Sequence, residues 1–289
     1  MKNFLSSFLT GWGDSNFEKG HAQSALEAFN QAISFNPNNV LAYIRRGLIR
    51  IDLNDYKGAI EDFNQVIRID PNYVPAYSHR GYAYLELGNY KAAIEDCNRV
   101  LGLNPNNVLT RYTKAIAHLR LGNLKIAIEN FNQVILSNSN LEDAYKYRGF
   151  AYAQLENFTR AVEDFNKVLQ LNPENFYAYY GLGLLVYIQN QNTKCAIYNF
   201  NQTLRLAPNF IPAYLYRGIS RFLIGDRRGS IEDLQKFANF SLEKGDMEGY
   251  QEALNLIIEI DSTPPNYTYT DGGYISKQLR LKGNTKSLF

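Results

Sequence analysis

Residues Val74–Asn107 read VPAYSHRGYAYLELGNYKAAIEDCNRVLGLNPNN, and this stretch recurs in altered form along most of the chain. Prolines after Asn, Asp or Ala mark the repeat: they fall at Pro37, Pro71, Pro105, Pro173 and Pro208, in steps of 34, 34, 68 and 35 residues. A fixed period of this length predicts a solenoid, because one such unit is too small to bury its apolar face and stacks on its neighbours.

The repeat is numbered so that the proline is position 32. Two positions, 8 and 20, then hold small residues in every copy. Position 8 holds Gly13, Gly47, Gly81, Ala115, Gly149, Gly183 and Gly218, and position 20 holds Ala25, Ala59, Ala93, Ala127, Ala161, Ala196 and Ser230. Small residues let two antiparallel helices approach closely, and the proline ends the second helix because it lacks an N–H donor.

This pattern resembles the tetratricopeptide repeat family over residues 6–244, and the repeat sequence is similar to that of multi-repeat bacterial and cyanobacterial members. The resemblance implies an all-α, right-handed superhelical solenoid of about seven helix-turn-helix repeats. In that fold the first helix of each repeat, helix A, lines the concave side, and helix B lies outside. The expected repeats span 6–39, 40–73, 74–107, 108–141, 142–175, 176–210 and 211–244.

Both ends of the chain depart from the repeat. The N-terminal run MKNFLSSFLTGWG is interpreted as a first helix rather than a signal peptide, because Ser6 and Ser7 interrupt its apolar residues. An amphipathic stretch at 247–260 predicts a capping helix, which would complete a solenoid over residues 1–260. The segment 261–289 is expected to be a flexible tail. The alternative is that it folds back into a groove on the concave side of the solenoid or docks on a partner.

Composition excludes several classes of function. The formal net charge of +2 offers no strong basic excess of the kind that nucleic-acid binding uses, so no DNA partner is expected. We expect no membrane span, and the two cysteines, Cys97 and Cys195, fit a reducing, cytoplasmic compartment. Composition does not indicate an oligomeric state.

Patterns that carry catalytic or metal chemistry are weak in this sequence. The histidines lack metal-ligand spacing, and Gly181 and Gly183 fall inside a helix with no preceding strand, so packing explains them better than a phosphate loop does. We therefore predict no metal, no cofactor and no enzymatic activity. Repeat 6 has one residue more than the other repeats, within 189–193, and this residue is expected to lengthen the turn between its two helices.

Positions 7 and 23 vary together along the chain. Arginine occurs at position 7 in the four repeats that have aspartate at position 23, and both are missing from the other three repeats. The four pairs are Arg46 with Asp62, Arg80 with Asp96, Arg148 with Asp164, and Arg217 with Asp233. We predict a charge-assisted ion pair between helix A and helix B of each of these repeats.

Helix A also carries a second apolar stripe, at positions 2, 5, 9 and 12. Part of this stripe must pack against the next helix A, but its long aromatic side chains favour an exposed groove for a partner. At repeat 5 two charged residues interrupt it, which suggests a polar residue in the bound segment. The predicted groove comprises Tyr82, Tyr112, Ile116, Asp143, Lys146, Tyr147, Phe150, Tyr177, Tyr180, Tyr187 and Leu215.

The groove favours a non-catalytic scaffold that binds a mainly apolar segment of a partner protein, in assembly of a larger complex. Single-stranded RNA binding, with bases stacked on groove tyrosines, is the alternative, although the missing basic excess argues against it. The family's clamp for a terminal carboxylate needs Lys at position 5 and Asn at position 9. Repeat 5 has Lys146 at position 5 but Phe150 at position 9, so this mode of binding is not expected here. We predict that Tyr112→Ala with Tyr180→Ala abolishes capture without loss of stability.

Overall fold

Helix-forming segments separated by short polar turns make up most of the chain. The computed structural model describes residues 1–189 and 192–263, and within these residues it contains fifteen α-helices and no strand. The predicted all-α repeat fold is confirmed. The chain divides into two compact units, Met1–Ser139 and Asn140–Phe289. One continuous solenoid over residues 1–260, with its right-handed superhelix, stays a prediction.

The first unit contains repeats 1 to 4, each built from an A helix packed against the B helix that follows it. Its helices are α1 (Lys2–Glu18), α2 (Ala22–Phe35), α3 (Val40–Asp52), α4 (Tyr56–Ile69), α5 (Val74–Glu86), α6 (Tyr90–Leu103), α7 (Val108–Arg120) and α8 (Leu124–Ser137).

The second unit contains repeats 5 to 7 and the capping helix. Its helices are α9 (Glu142–Gln154), α10 (Phe158–Leu171), α11 (Phe176–Gln189), α12 (Thr193–Leu206), α13 (Ile211–Leu223), α14 (Arg227–Glu243) and α15 (Met247–Ser262). The capping helix predicted at 247–260 is therefore confirmed, and it takes in the first two residues assigned to the tail. Residues 264–289 of the expected tail lie outside the described residues.

Close approach between helices explains the small residues at position 8 and beside it. A Cβ atom on Gly181 would lie 2.5 Å from the buried ring of Phe165, and one on Gly183 would lie 2.7 Å from Phe200. Both distances are shorter than carbon atoms tolerate, so glycine is required at each position. The prediction that packing, rather than phosphate binding, accounts for these glycines agrees with this geometry.

The four predicted ion pairs are confirmed. An Nη atom of each position-7 arginine lies 2.5 to 2.7 Å from the aspartate of the same repeat. In all four pairs the Nε atom also donates to the other carboxylate oxygen, at 2.8 to 3.1 Å. These two-point contacts match the planar guanidinium to the carboxylate and fix the spacing of the two helices.

The same arginines also join neighbouring repeats. Arg46, Arg80 and Arg217 donate from Nη1 to the side-chain oxygen of an asparagine at position 25 of the preceding B helix, at distances of 2.6 to 2.8 Å. Those asparagines are Asn30, Asn64 and Asn201. Each arginine thus holds together its own repeat and the interface with the repeat before it.

Repeat 6 has one residue more than the other repeats. Helix α11 has 14 residues, whereas α9, the corresponding helix of repeat 5, has 13. Residues 190 and 191, between α11 and α12, lie outside the described residues, so the expected longer turn at 189–193 stays a prediction.

In repeats 1 to 5 and 7, whose turns are fully described, the turn between helix A and helix B places one residue, at position 15, in the left-handed backbone region. Glycine fills this position in most repeats, but Glu156 occupies it with a φ of 57° and Asn54 with a φ of 61°. An L-residue with a Cβ atom loses roughly 1–2 kcal/mol in this conformation, and asparagine tolerates it better than glutamate does.

We therefore expect Glu156→Gly to stabilise the protein by about 0.5–1 kcal/mol, after subtraction of the extra entropy of glycine in the unfolded chain. Urea unfolding followed by circular dichroism measures the change, and Asn54→Gly is the matched control with a smaller expected gain. A lower urea midpoint for Glu156→Gly would contradict the strain argument.

Candidate partner-binding surface

The second stripe of helix A is less accessible than its sequence pattern indicates. Most residues at positions 9 and 12 are buried or half-buried, and five of the predicted groove residues have less than a tenth of their surface exposed. These five are Ile116, Lys146, Phe150, Tyr180 and Tyr187.

Aromatic contacts explain why the tyrosines of α11 are buried. The ring of Tyr180 is 4.8 Å from that of Phe210 and 6.2 Å from that of Phe200, measured between centroids. Tyr187 packs edge-on against Tyr216 at 5.4 Å. Offset and edge-on pairs at these distances add to the stabilisation that burial provides. The tyrosines therefore belong to the core of the second unit.

The structure corrects the groove prediction for the four apolar and aromatic residues of this set. A side chain with so little exposed surface offers a partner almost no contact area, so Ile116, Phe150, Tyr180 and Tyr187 are packing residues in the free chain. The burial of Tyr180 argues against the expectation that Tyr180→Ala leaves stability unchanged. The other predicted groove residues keep accessible surface or contact residues that do.

In the first unit, two tyrosines of the predicted groove are partly accessible. Tyr82 on α5 and Tyr112 on α7 are half-buried, and Tyr112 packs edge-on against Phe131 at 6.2 Å. Exposed leucines occupy position 2 of two A helices, at Leu41 and Leu109. A role for these residues in binding stays a prediction.

In the second unit, the predicted polar interruption is a compact group, here named the Lys146 cluster: Asp143, Lys146, Tyr147, Tyr177 and Phe210. The Nζ atom of Lys146 lies 2.5 Å from Oδ1 of Asp143. It also lies 4.5 Å from the ring centroid of Tyr147 and 5.0 Å from that of Tyr177. One ammonium group is thus held between a carboxylate and two aromatic rings.

Tyr177 is the most accessible aromatic residue of this cluster. Tyr177 on α11 is 38% exposed, stacks on Phe176 at 4.1 Å and meets Phe210 edge-on at 5.7 Å. Leu215 on α13 is half-buried and packs against the hydrophobic core of the same unit. Sequence reasoning missed Phe210 because it caps α13 and lies outside the helical stripe.

Burial also fixes the chemistry of the neighbouring tyrosines. It raises the pKa of Tyr216 to about 12 and that of Tyr180 well above its usual value, since ionisation would place a charge in an apolar surrounding. The hydroxyl of Tyr180 has no hydrogen-bond partner within the described part of the chain. Both side chains are therefore neutral packing groups at physiological pH.

The described residues contain neither a cluster of metal-ligating side chains nor a helix suited to cross a membrane. Across 1–189 and 192–263, three or more His, Cys, Asp or Glu side chains nowhere come together as ligands for a metal ion. In the same ranges, none of the helices combines the length and apolarity that crossing a bilayer requires. Cys97 is buried, which raises its pKa to about 12, and Cys195 is exposed on α12.

Comparison with known proteins agrees with this architecture. A family model described as TPR repeat matches residues 47–88, and one described as tetratricopeptide repeat matches 74–107 and 142–175. The chain contains tetratricopeptide repeats. No curated protein matches its sequence. Proteins built from these repeats are generally non-catalytic, and the fold supports a protein-interaction scaffold.

Solved structures of similar fold cover more of this tetratricopeptide repeat protein. A tetratricopeptide repeat protein from Parabacteroides merdae is 19% identical with a TM-score of 0.69, over 88% of this chain and 99% of that one. The MamA protein is 25% identical with a TM-score of 0.55, over 59% of this chain and 93% of that one. YrrB, described as a TPR protein with an unusual peptide-binding site, is 21% identical with a TM-score of 0.54, over 65% and 96%.

Proposed function

We propose that this tetratricopeptide repeat protein is a non-catalytic scaffold that binds a mainly apolar segment of a partner protein at the Lys146 cluster. The observation that carries the proposal is an exposed aromatic ring, Tyr177, held beside a buried ammonium group. This arrangement combines an apolar contact surface with a fixed polar group, as recognition sites commonly do.

The geometry of Tyr177 favours binding because the ring is already ordered. Contacts with Phe176 and Phe210 hold it in place before a partner arrives, so little side-chain entropy is lost on association. Aromatic anchors of this kind often supply a disproportionate share of the binding energy of an interface.

Lys146 adds a polar requirement to the bound segment. An ammonium group has three N–H donors, and the carboxylate of Asp143 accepts one of them. Lys146 is 9% exposed, so an acceptor of the segment, a backbone carbonyl or a carboxylate, would have to approach the ammonium group beside the exposed ring of Tyr177. We therefore expect an apolar side chain over Tyr177, with an acceptor group close to it in the same segment. The peptide-binding site described for YrrB is a precedent for this kind of ligand on the fold.

Tyr177→Ala tests the site, and Tyr198→Ala is its matched control because Tyr198 lies on α12 with 58% of its surface exposed. A phage library of random dodecapeptides is selected on the wild-type protein, and the enriched peptides are measured by fluorescence anisotropy. We expect Tyr177→Ala to weaken binding by about 30-fold or more, as for a typical aromatic anchor, and Tyr198→Ala to bind as the wild type does.

Two outcomes would contradict the proposal. In the first, the enriched peptides bind Tyr177→Ala as tightly as they bind the wild type, which would place the site elsewhere. In the second, no peptide is enriched but a fluorescent dodecamer of uridine binds with an affinity that falls steeply with salt. That result would favour the RNA-binding alternative, since phosphate contacts release counterions.

A further inference from the structure

The N-terminal helix α1 exposes a row of large aromatic side chains. Phe4, Phe8 and Trp12 follow one another at intervals of four residues, so they lie on one face, and they are 74%, 64% and 47% exposed. The opposite face is firmly attached to the first unit: Ser6, Thr10 and Gly13 are buried there. The aromatic residues are therefore not needed to hold α1 in place.

The equivalent face is covered in the following repeats of the first unit. Phe8 and Trp12 occupy positions 3 and 7, where repeat 2 has Ala42 and Arg46. Ala42 packs into a cluster with Phe29 of α2, and Arg46 hydrogen-bonds to Asn30 of the same helix. This face of helix A is thus the one that normally meets a preceding B helix.

The aromatic face does not fit an ordinary preceding repeat. Position 3 is completely buried alanine in repeats 2 and 3, which allows the helices to approach closely, whereas a phenylalanine there holds a neighbouring helix farther away. Helix α1 is also longer, with 17 residues against 13 in α3, and Phe4 lies in the added turn. The occupant of this face therefore packs in another way.

We propose that the aromatic face of α1 is the contact between two copies of this chain, packed antiparallel about a two-fold axis at Phe8. In that arrangement Phe8 meets Phe8 of the other copy, and Phe4 meets Trp12. Equal spacing on both sides of Phe8 makes the face complementary to itself, which a two-fold interface requires. No charged residue occurs between Asn3 and Gly13, so two such faces can meet without removing a charge from water.

The exposed area agrees with a dimer contact. An aromatic side chain buries about 150–250 Å² when it is enclosed, so the exposed fractions of these three side chains amount to roughly 280–460 Å². A stable interface covers about 800 Å² on each partner, and its centre is the most apolar part. The aromatic row has the size of such a centre, with the exposed uncharged residues Asn3, Ser7 and Gly11 beside it.

A membrane surface suits this helix less well. Helices that lie on membranes usually carry lysine and arginine on their polar face, and α1 has neither between Asn3 and Glu18. The proposal is independent of the Lys146 cluster, so each can fail without the other.

Trp12 is the only tryptophan in the sequence, and its fluorescence therefore reports on α1 alone. The full chain is diluted from about 100 μM to about 0.1 μM, a range that spans common dimer affinities, while mass is followed by sedimentation and the Trp12 emission is recorded. We expect a dimer at high concentration, and a red shift of the emission on dilution, as dissociation exposes the indole ring to water.

Phe8→Asp places two carboxylates against each other at the two-fold axis. We expect it to raise the dimer dissociation constant roughly 100-fold or more, since an aromatic contact is lost in both copies. Leu136→Asp is the control, because Leu136 on α8 is 78% exposed and lies outside α1. It should dimerise as the wild type does, and both variants should keep the helix content of the wild type.

Three results would overturn the proposal. One is a wild-type chain that stays monomeric, with constant Trp12 emission, over the whole range. Another is a dimer that persists in Phe8→Asp with the wild-type dissociation constant. The third is a monomer whose Trp12 emission shifts to the blue with vesicles of phosphatidylcholine and phosphatidylserine, which would assign the aromatic face to a membrane surface.

Discussion

Replacement of Asp233 by alanine is expected to lower the free energy of unfolding by about 3–5 kcal/mol, which is typical for loss of one partner from a buried ion pair. Asp233 is 1% exposed and accepts hydrogen bonds from two arginines, Arg217 at 2.6 and 2.8 Å and Arg221 at 2.9 Å. Without the carboxylate, two guanidinium groups remain close together with little access to water. Urea unfolding followed at 222 nm measures the change.

The adjacent Glu232 supplies the control for this prediction. It forms an exposed pair with Arg228 at 3.0 Å, so Glu232→Ala should change the free energy by no more than about 1 kcal/mol. Arg217→Ala should be milder than Asp233→Ala, because Arg221 remains to neutralise the aspartate. If Asp233→Ala and Glu232→Ala unfold at the same urea concentration, the Arg217–Asp233 pair does not provide the stability expected of a buried ion pair.

Tyr180→Ala is expected to cost about 3–5 kcal/mol, as is usual when a large aromatic side chain is removed from a core. Tyr180 is 1% exposed and contacts the rings of Phe200, Phe210 and Tyr216. Its removal leaves a cavity that these rings fill only in part.

Tyr180→Phe is the matched control, and it should not be destabilising. The ring is kept, while the hydroxyl, which has no hydrogen-bond partner within the described residues, is removed. A buried hydroxyl without a partner costs roughly 1–3 kcal/mol, so the urea midpoint should rise. A Tyr180→Ala variant with the wild-type midpoint would return Tyr180 to the list of candidate binding residues.

The ion pairs could be predicted from sequence because seven copies of one module provide internal comparisons. Arginine at position 7 is present only where aspartate is present at position 23, and this co-variation identified the partners of Arg46, Arg80, Arg148 and Arg217 correctly. Asparagine at position 25 was missed because it occurs in nearly every repeat. A residue that does not vary gives no co-variation signal.

A second arginine, at position 11, also binds the aspartate in two repeats, and a sequence pattern could have predicted it. Arg50 and Arg221 both occupy position 11, and each donates to an aspartate of its own repeat and to the backbone oxygen of a glycine at position 19. Only repeats 2 and 7 have arginine at position 11 and glycine at position 19. The two positions therefore vary together, as positions 7 and 23 do.

The accessible groove could not be predicted with the same success. Helical periodicity shows which residues share a face, but it does not show how far the next A helix covers that face. Tyr177 and Tyr180 lie in the same apolar stripe of α11, yet one is exposed and the other is buried among Phe200, Phe210 and Tyr216. The distinction depends on contacts with α13, which belong to the next repeat.

The arginine that joins neighbouring repeats makes a module that carries it transferable. A copy of repeat 3 inserted after repeat 2 would present Arg80 to Asn64 on one side, and its own Asn98 to the next position-7 residue on the other. One 34-residue unit contains both the position-7 arginine and the position-25 asparagine that form the junction, so duplication of a unit requires no matching change elsewhere. An array of this type can be lengthened by tandem duplication, one gene segment at a time, with its junctions already in place.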